Sequence, residues 1–524
     1  ERLAQLVSEA IEDPELIDEK MYVGNTYLAP KVAIAKQGSE LRPITCLPNL
    51  YKLTSKVVTD LVTDLCTVNE IISDNQMGTR RGCQGAKEQA LLNKALNEEY
   101  DNQLCTSWID VKKAYDSVQH QYLLDVLMKL AIPPNIISFV RRTLSLQRTN
   151  LICDKEEIGQ VKIEKGILQG DSLSPLLFTI GLEPLSRMLN RCCEKVRMGN
   201  IERNHLIFID DIKLLAGSEE TLVELCQWTD VCLTQMGLQV NQLKSASNID
   251  NELVFGDKLD DVAGYKYLGV LEDSRNVIKE ENKRMVAERI AERTSKLCQT
   301  KLNAVNLFKA INEFALSTLN YYVGLLPYEP KEFDDLDKNV RRILSEFKVT
   351  RHASNMDRLY LKRDRLGRGL TCLVEKAEVM MLKMYDYLAE NPKTRALAEH
   401  ETQGASHLGL IRDYLQNKYS LTNSDINEKV IRSKHEEARM GRIREKRMHG
   451  LLFTDDDNIY DRVTSSTWLA KGNNSPQQEG MLCKLQDRNL YFGGTSAKCP
   501  HCRKHPKSVQ HLSTHCGSML QSHY

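Results

Sequence analysis

The chain has 524 residues with Lys+Arg 71 and Asp+Glu 71, so its formal net charge is zero. Bulk attraction to a polyanion is thereby excluded, and any nucleic-acid surface must be local. Hydrophobic residues at 41% and charged residues at 27% exclude a wholly disordered chain, and no uncharged apolar run is long enough for a membrane span.

In chain order, residues 1–20 are acidic with a helical apolar spacing at Leu3, Leu6, Val7 and Ile11. Residues 21–60 read as short strands followed by a helix from Leu50, and 82–98 as a further helix. Leu104–Asp110 is a short β-prone run ending on an acid. Asp116 or Ser117 is expected to cap the next helix, which aligns Leu123, Leu124, Leu127 and Leu130. Leu206–Ala216 is two apolar runs parted by Asp210-Asp211, the pattern of a hairpin with two acids at its tip. From about residue 276 to 450 the pattern is mostly helical, and 471–479 (KGNNSPQQE) reads as a loop.

Two acidic strand ends, Asp110 and Asp210-Asp211, can lie side by side in one sheet. Three carboxylates gathered there suit two divalent ions, as phosphoryl transfer requires. An isolated strand-end Asp is usually a solvated turn acid; a pair set inside an apolar run is not. Near the end of the chain, Cys499, Cys502, His511 and Cys516 supply three thiolates and one imidazole, enough for a closed tetrahedral Zn²⁺ site. His501, His505 and His515 are competing ligands. The other cysteines lack framework spacing, which suggests a reducing compartment.

Six motifs in order then resemble a reverse transcriptase: RPIT at 42–45, DVKKAYDSV at 110–118, GILQGDSLSP at 166–175, FIDD at 208–211, GLQVNQLK at 237–244 and YLGV at 267–270. The FIDD box has Phe208 for the usual Tyr and Ile209 for the usual Ala. The resemblance implies two catalytic Mg²⁺ held by Asp110, Asp210 and Asp211, with Arg42 on the incoming triphosphate. Lys36 is a second positive contact, and Tyr115 excludes a ribose 2′-hydroxyl. Gln169 and Gly170 lie by the nascent base pair, and Lys244 is the acid for pyrophosphate. Asp116 and Asp171 are read as a cap and a turn residue, outside the chemistry.

RLYLKRDRLGRGL at 358–370, SSTWLAK at 465–471 and EGMLCKLQDR at 479–488 resemble segments around the CCHC zinc knuckle of non-LTR retrotransposons in which a restriction-like endonuclease follows the knuckle. That resemblance implies the α/β palm and fingers of a right-hand polymerase, a helical thumb, a mostly helical linker and a small zinc knuckle. The expected divisions are 1–100 (N-terminal extension and fingers), 101–275 (palm), 276–350 (thumb), 351–495 (linker) and 496–524 (knuckle). It implies target-primed reverse transcription, with template RNA, primer or target DNA and dNTPs as partners, no membrane, and a nuclear site of action. The chain ends eight residues past Cys516, so polymerisation without DNA cleavage is expected. The rival readings are an RNA-dependent RNA polymerase, an intron-encoded maturase and a domesticated copy that only binds RNA. Two basic stretches, 283–301 and 429–447, are candidates for tracking a phosphate backbone.

Overall fold

The computed structural model describes residues 1–30, 37–153, 156–260, 262–351, 354–446, 452–453, 461–488 and 498–518. Lys36 and Arg447 lie outside the described residues. Glu1–Lys279 forms one compact unit and Glu280–Tyr524 another.

In the first unit the strands are β1 Val23–Pro30, β2 Leu41–Cys46, β3 Cys105–Ile109, β4 Arg148–Cys153 and β5 Glu156–Lys162, then β6 Val196–Met198 and β7 Ile201–Arg203. They continue with β8 His205–Phe208, β9 Asp211–Ala216, β10 Ala246–Ser247, β11 Asp257–Lys258, β12 Tyr265–Tyr267 and β13 Val270–Glu272. One sheet runs β2-β1-β4-β5 and a second runs β11-β10-β3-β9-β8; β12/β13 and β6/β7 are separate two-stranded ribbons. β3 has a side chain buried on each face (Thr106, Ser107, Trp108, Ile109), so it reads as a continuous run rather than an alternation. The core below the second sheet is Val118, Phe139, Phe178, Leu189, Leu214 and Leu233, drawn from β9 and the surrounding helices. The helix His120–Lys129 buries Leu123, Leu124 and Leu127, as its spacing requires. Its first turn is preceded by Gln119, however, and not by a capping Asp116 or Ser117. Those two residues complete a short helix of their own, Ala114–Ser117, entered through Lys113 at φ +43°.

In the second unit, helices dominate from Glu281 onward. Most cations of 429–447 are engaged within the unit: Arg432 with Glu428, Lys434 with Glu437, Arg439 with Glu375, and Arg442 and Lys446 with Asp357. Arg439, Arg442 and Lys446 therefore join this stretch to neighbouring helices, while Arg432 and Lys434 pair along the helix itself. The 283–301 stretch is also paired in part, Lys283 with Glu332 and Lys296 with Glu292. Expected as one loop, 471–479 is cut short at Ser475. The Ser475 hydroxyl accepts the Gln478 N–H at 3.2 Å, Gln478 Oε1 accepts the Ser475 N–H at 3.0 Å, and Pro476 starts the helix Pro476–Gln486.

That helix is locked to the arginines of 358–370. Arg358 and Asp487 meet at 2.9 Å with both side chains 1% exposed, and Glu479 accepts from Arg363 and Arg368 at 2.7 and 2.9 Å. The guanidiniums of Arg363 and Arg368 also lie 5.4 and 4.8 Å from the Phe308 ring. Two of the motif segments read in the sequence are thus one buried polar knot. No described helix is long and apolar enough to cross a membrane.

Candidate active site

The strand register assembles the acids. Ile109 on β3 pairs with Ile212 on β9, which sets Asp110, the next residue, beside Asp211. Phe208 pairs with Asp211 across the β8–β9 hairpin, leaving Ile209 and Asp210 as its tip. Ile209 sits at φ +58°, a conformation that costs a β-branched residue about 1–3 kcal/mol. Gln76 holds it there: its Oε1 accepts the N–H of Ile209 at 3.0 Å and of Gly78 at 2.8 Å.

The three carboxylates feel one another. Desolvation raises the pKa of Asp210, and the charge of Asp110 adds to the rise. Asp210's own backbone N–H and the positive charge of Arg42 pull the other way. Desolvation, then Asp210 and Asp110, lift Asp211 to about 6. These carboxylates, neutralised only in part by Arg42, are oxygen donors of the kind Mg²⁺ prefers, although they are not drawn together as closely as the ligands of a closed metal cluster.

Arg42 is exposed on β2 and has no ion-pair partner among the described residues. Tyr115 stacks flat on Phe178, ring centroids 5.2 Å apart at 3°, and its pKa is raised by desolvation and by Asp210's charge. Gln169 accepts the Thr45 N–H through its carbonyl at 2.8 Å, tying its loop to β2. Gly170 stands at φ +122°, and a Cβ there would meet Thr45 O at 2.3 Å. Its lack of a side chain thus serves a close approach of the chain to itself. Lys244 is exposed in the turn after β9's neighbour segment, its N–H bonded to Asn241 O at 3.0 Å. Its side chain touches none of the three acids. Asp171 is in a turn but buried, accepting from Ser55 at 2.7 Å and Tyr51 at 3.0 Å.

Sequence reading missed two supports. Asn241 Nδ2 donates to Asp110 Oδ2 at 2.8 Å, and Ser245 Oγ accepts the Asp110 N–H at 3.0 Å. Asn241 was visible only as a polar residue inside the GLQVNQLK motif. The second support is a buried ion pair. Lys213, two residues past Asp211 on β9, meets Glu272 of β13 at 2.6 Å with side chains 0% and 3% exposed. Trp108 Nε1 and Asn93 Nδ2 also donate to Glu272, at 3.3 and 2.6 Å. The Lys213 ammonium lies 4.9 Å from the Trp108 ring and 5.0 Å from the Tyr267 ring. This cage fixes the β12–β13 ribbon, which carries YLGV, onto the sheet that carries the acids.

In the second unit Cys499, Cys502, His511 and Cys516 gather with ligand atoms all within 4.8 Å of one another. Cys499 and Cys516 sulfurs are 3.7 Å apart, close to the edge of a tetrahedron with Zn–S bonds of about 2.3 Å. Backbone N–H groups of His505 and Lys504 point at the Cys502 sulfur and, with the His505 and His511 rings, hold its pKa down to about 5. His511 is the imidazole of this cluster; His501 and His515 are not in it, and the His505 ring stands 3.8 Å from Cys502.

Residues 34–271 match the family described as Reverse transcriptase (RNA-dependent DNA polymerase). The chain is 32% identical over 132 residues to the Pol polyprotein of the type-1 retrotransposable element R2 of Nasonia vitripennis, covering 25% of this chain and 13% of that protein. It is 26% identical over 221 residues to the Pol polyprotein of R2DM of Drosophila melanogaster, covering 42% and 20%. It is 27% identical over 254 residues to the probable RNA-directed DNA polymerase from transposon BS of Drosophila melanogaster, covering 45% and 27%. The chain therefore spans 13–27% of the length of these three relatives. Among solved structures, telomerase from Candida tropicalis in complex with a TWJ fragment of telomeric RNA aligns with TM-score 0.39 at 13% identity, over 76% of this chain and 67% of that one. Residues 34–271 are thus similar to the reverse transcriptase (RNA-dependent DNA polymerase) family, and the relatives that share them include polyproteins of R2 retrotransposable elements.

Proposed function

We propose that the chain copies an element's RNA into DNA by target-primed reverse transcription, extending the 3′-hydroxyl of nicked target DNA in the nucleus. The observation that carries this reading is the register-set meeting of Asp110, Asp210 and Asp211 at one sheet edge. Asp110 and Asp210 would hold two Mg²⁺, with Asp211 assisting. Held there, divalent ions would supply activation of a primer hydroxyl and neutralisation of phosphate charge.

The chain's own groups do the rest. Asn241 orients the Asp110 carboxylate, and Gln76 keeps the acidic turn in its strained shape. Arg42, exposed and unpaired, accepts the triphosphate. The Tyr115 ring, backed by Phe178, is the group that would exclude a 2′-hydroxyl. Lys244, exposed and linked to the acids by its sequence motif only, would be the proton donor to pyrophosphate. A structural Zn²⁺ in the Cys499–Cys502–His511–Cys516 cluster would cross-link the C-terminal segment.

The test is primer extension on an RNA template with Mg²⁺, with dNTPs and rNTPs supplied separately. Extension with dNTPs alone, abolished in D210A/D211A, is expected. Extension with rNTPs, or none by a folded chain that binds RNA, would sink the reading. Tyr115→Val should raise rNTP use relative to dNTP use roughly ten- to hundred-fold.

A further inference from the structure

Within the second unit a cavity of about 500 Å³ opens between the helices Leu373–Glu390 and Glu428–Glu445 and the chain at 360–371. None of its lining residues belongs to the polymerase site. Its acids are already matched, Glu375 by Arg439 and Glu436 by Arg365. Arg432 leans on Glu428, and His435 engages Glu378 at 2.8 Å. Two cations are left over. The ammonium groups of Lys376, half-buried, and Lys362, exposed, make no hydrogen bond or ion pair with any described residue.

Desolvation alone pushes the Lys376 pKa below the usual lysine value. A half-buried ammonium without a counter-charge is costly, and an anion in the cavity would offset that cost. The cavity is far larger than an inorganic phosphate needs and falls in the size range of organic-ligand sites. Leu361, Val379 and Met380 line it as well, an apolar wall beside the cations. The occupant must therefore be a phosphate joined to a flat or apolar body. Unpaired RNA presents this combination, because its bases can be splayed out of the stack while the phosphates stay charged.

We propose that this cavity takes one unpaired nucleotide of single-stranded RNA, its phosphate against Lys362 and Lys376 and its base against Leu361, Val379 and Met380. The choice of RNA rests on the reading of the chain as an RNA-copying polymerase. The site would give template RNA a contact within the helical unit.

The test compares the whole chain with Lys362→Met plus Lys376→Met. Affinity for a single-stranded RNA oligonucleotide is followed by fluorescence anisotropy across a salt series. Neither amine has a partner, so the melting temperature should hold or rise slightly. RNA binding should weaken about ten-fold, and the slope of log K against log salt should shrink by roughly 0.7 to 1.4. Thiouridine-substituted RNA should cross-link to peptides within 360–380 of the parent and lose those products in the variant. Addition of dNTPs to a short pre-annealed template–primer should not change. Equal affinity and slope in the two chains, or cross-links confined elsewhere, would overturn the proposal. An equal loss with single-stranded DNA would overturn the assignment to RNA. Absence of polymerisation with the RNA-binding difference intact would remove the polymerase reading and leave the pocket standing.

Discussion

Asp211 is an acid that this fold ionises reluctantly. Its carboxyl is lifted to about 6 by desolvation and by two neighbouring carboxylates, and Asp210 is lifted as well. A raised acid binds its proton more tightly in the folded state, so the contribution of these two acids to metal-free stability is greatest at low pH and is lost as pH rises from about 4 through 6. Mg²⁺ held by these acids would reverse their trend by taking the proton's place. Thermal melts should therefore show a Mg²⁺-induced rise at pH 7.5 that vanishes at pH 5, and D210N/D211N should melt higher than the parent in EDTA at pH 7.5 and ignore Mg²⁺. An equal Mg²⁺ response in the variant would place the metal elsewhere. Gln76 is the other residue-scale control. Gln76→Leu strips two N–H groups of their acceptor at a strained turn, and kcat should drop more than the affinity for template–primer.

At the scale of elements, two strands and a ribbon converge. β9 carries Asp211 on the face that also carries Lys213, and Lys213 reaches Glu272 on β13. Removing one partner of a buried pair strands the other charge, so Lys213→Met should cost about 3–5 kcal/mol by equilibrium denaturation. Replacing both, as Lys213→Met with Glu272→Leu, should recover a large part of that loss. A single variant within about 0.5 kcal/mol of the parent would show that the pair does not hold the ribbon. The same logic governs Arg358–Asp487 and Arg363/Arg368–Glu479, which explains why so many arginines of 358–370 are buried.

At the scale of the whole molecule, zero net charge is compatible with the proposed nucleic-acid chemistry because charge is used locally. Acids collect at the β3–β9 edge, while cations of the helical unit are largely matched by acids of the same unit. The Cys499–Cys516 segment has few apolar groups beyond Leu512 to hold it, so a metal in its Cys/His cluster would be its main cross-link. Elemental analysis should find about one zinc per chain, and Cys516→Ser should lose it, with the melting of residues 1–279 unaffected.

The sequence by itself determined the pieces whose information is local. Two apolar runs and a paired acid wrote the β8–β9 hairpin, apolar periodicity wrote the helices, and close cysteine spacing wrote the Cys/His cluster. Six ordered motifs were enough to read the polymerase domain. Tertiary structure alone decided partnerships between distant residues. Asn241 with Asp110, Lys213 with Glu272 and Gly170 with Thr45 are separated by dozens of residues or more, and each residue type taken singly is unremarkable on a surface. The basic run at 429–447 shows the same limit: charge is written in the sequence, but whether a cation is spent on a neighbour or left for a ligand depends on which helix packs beside it.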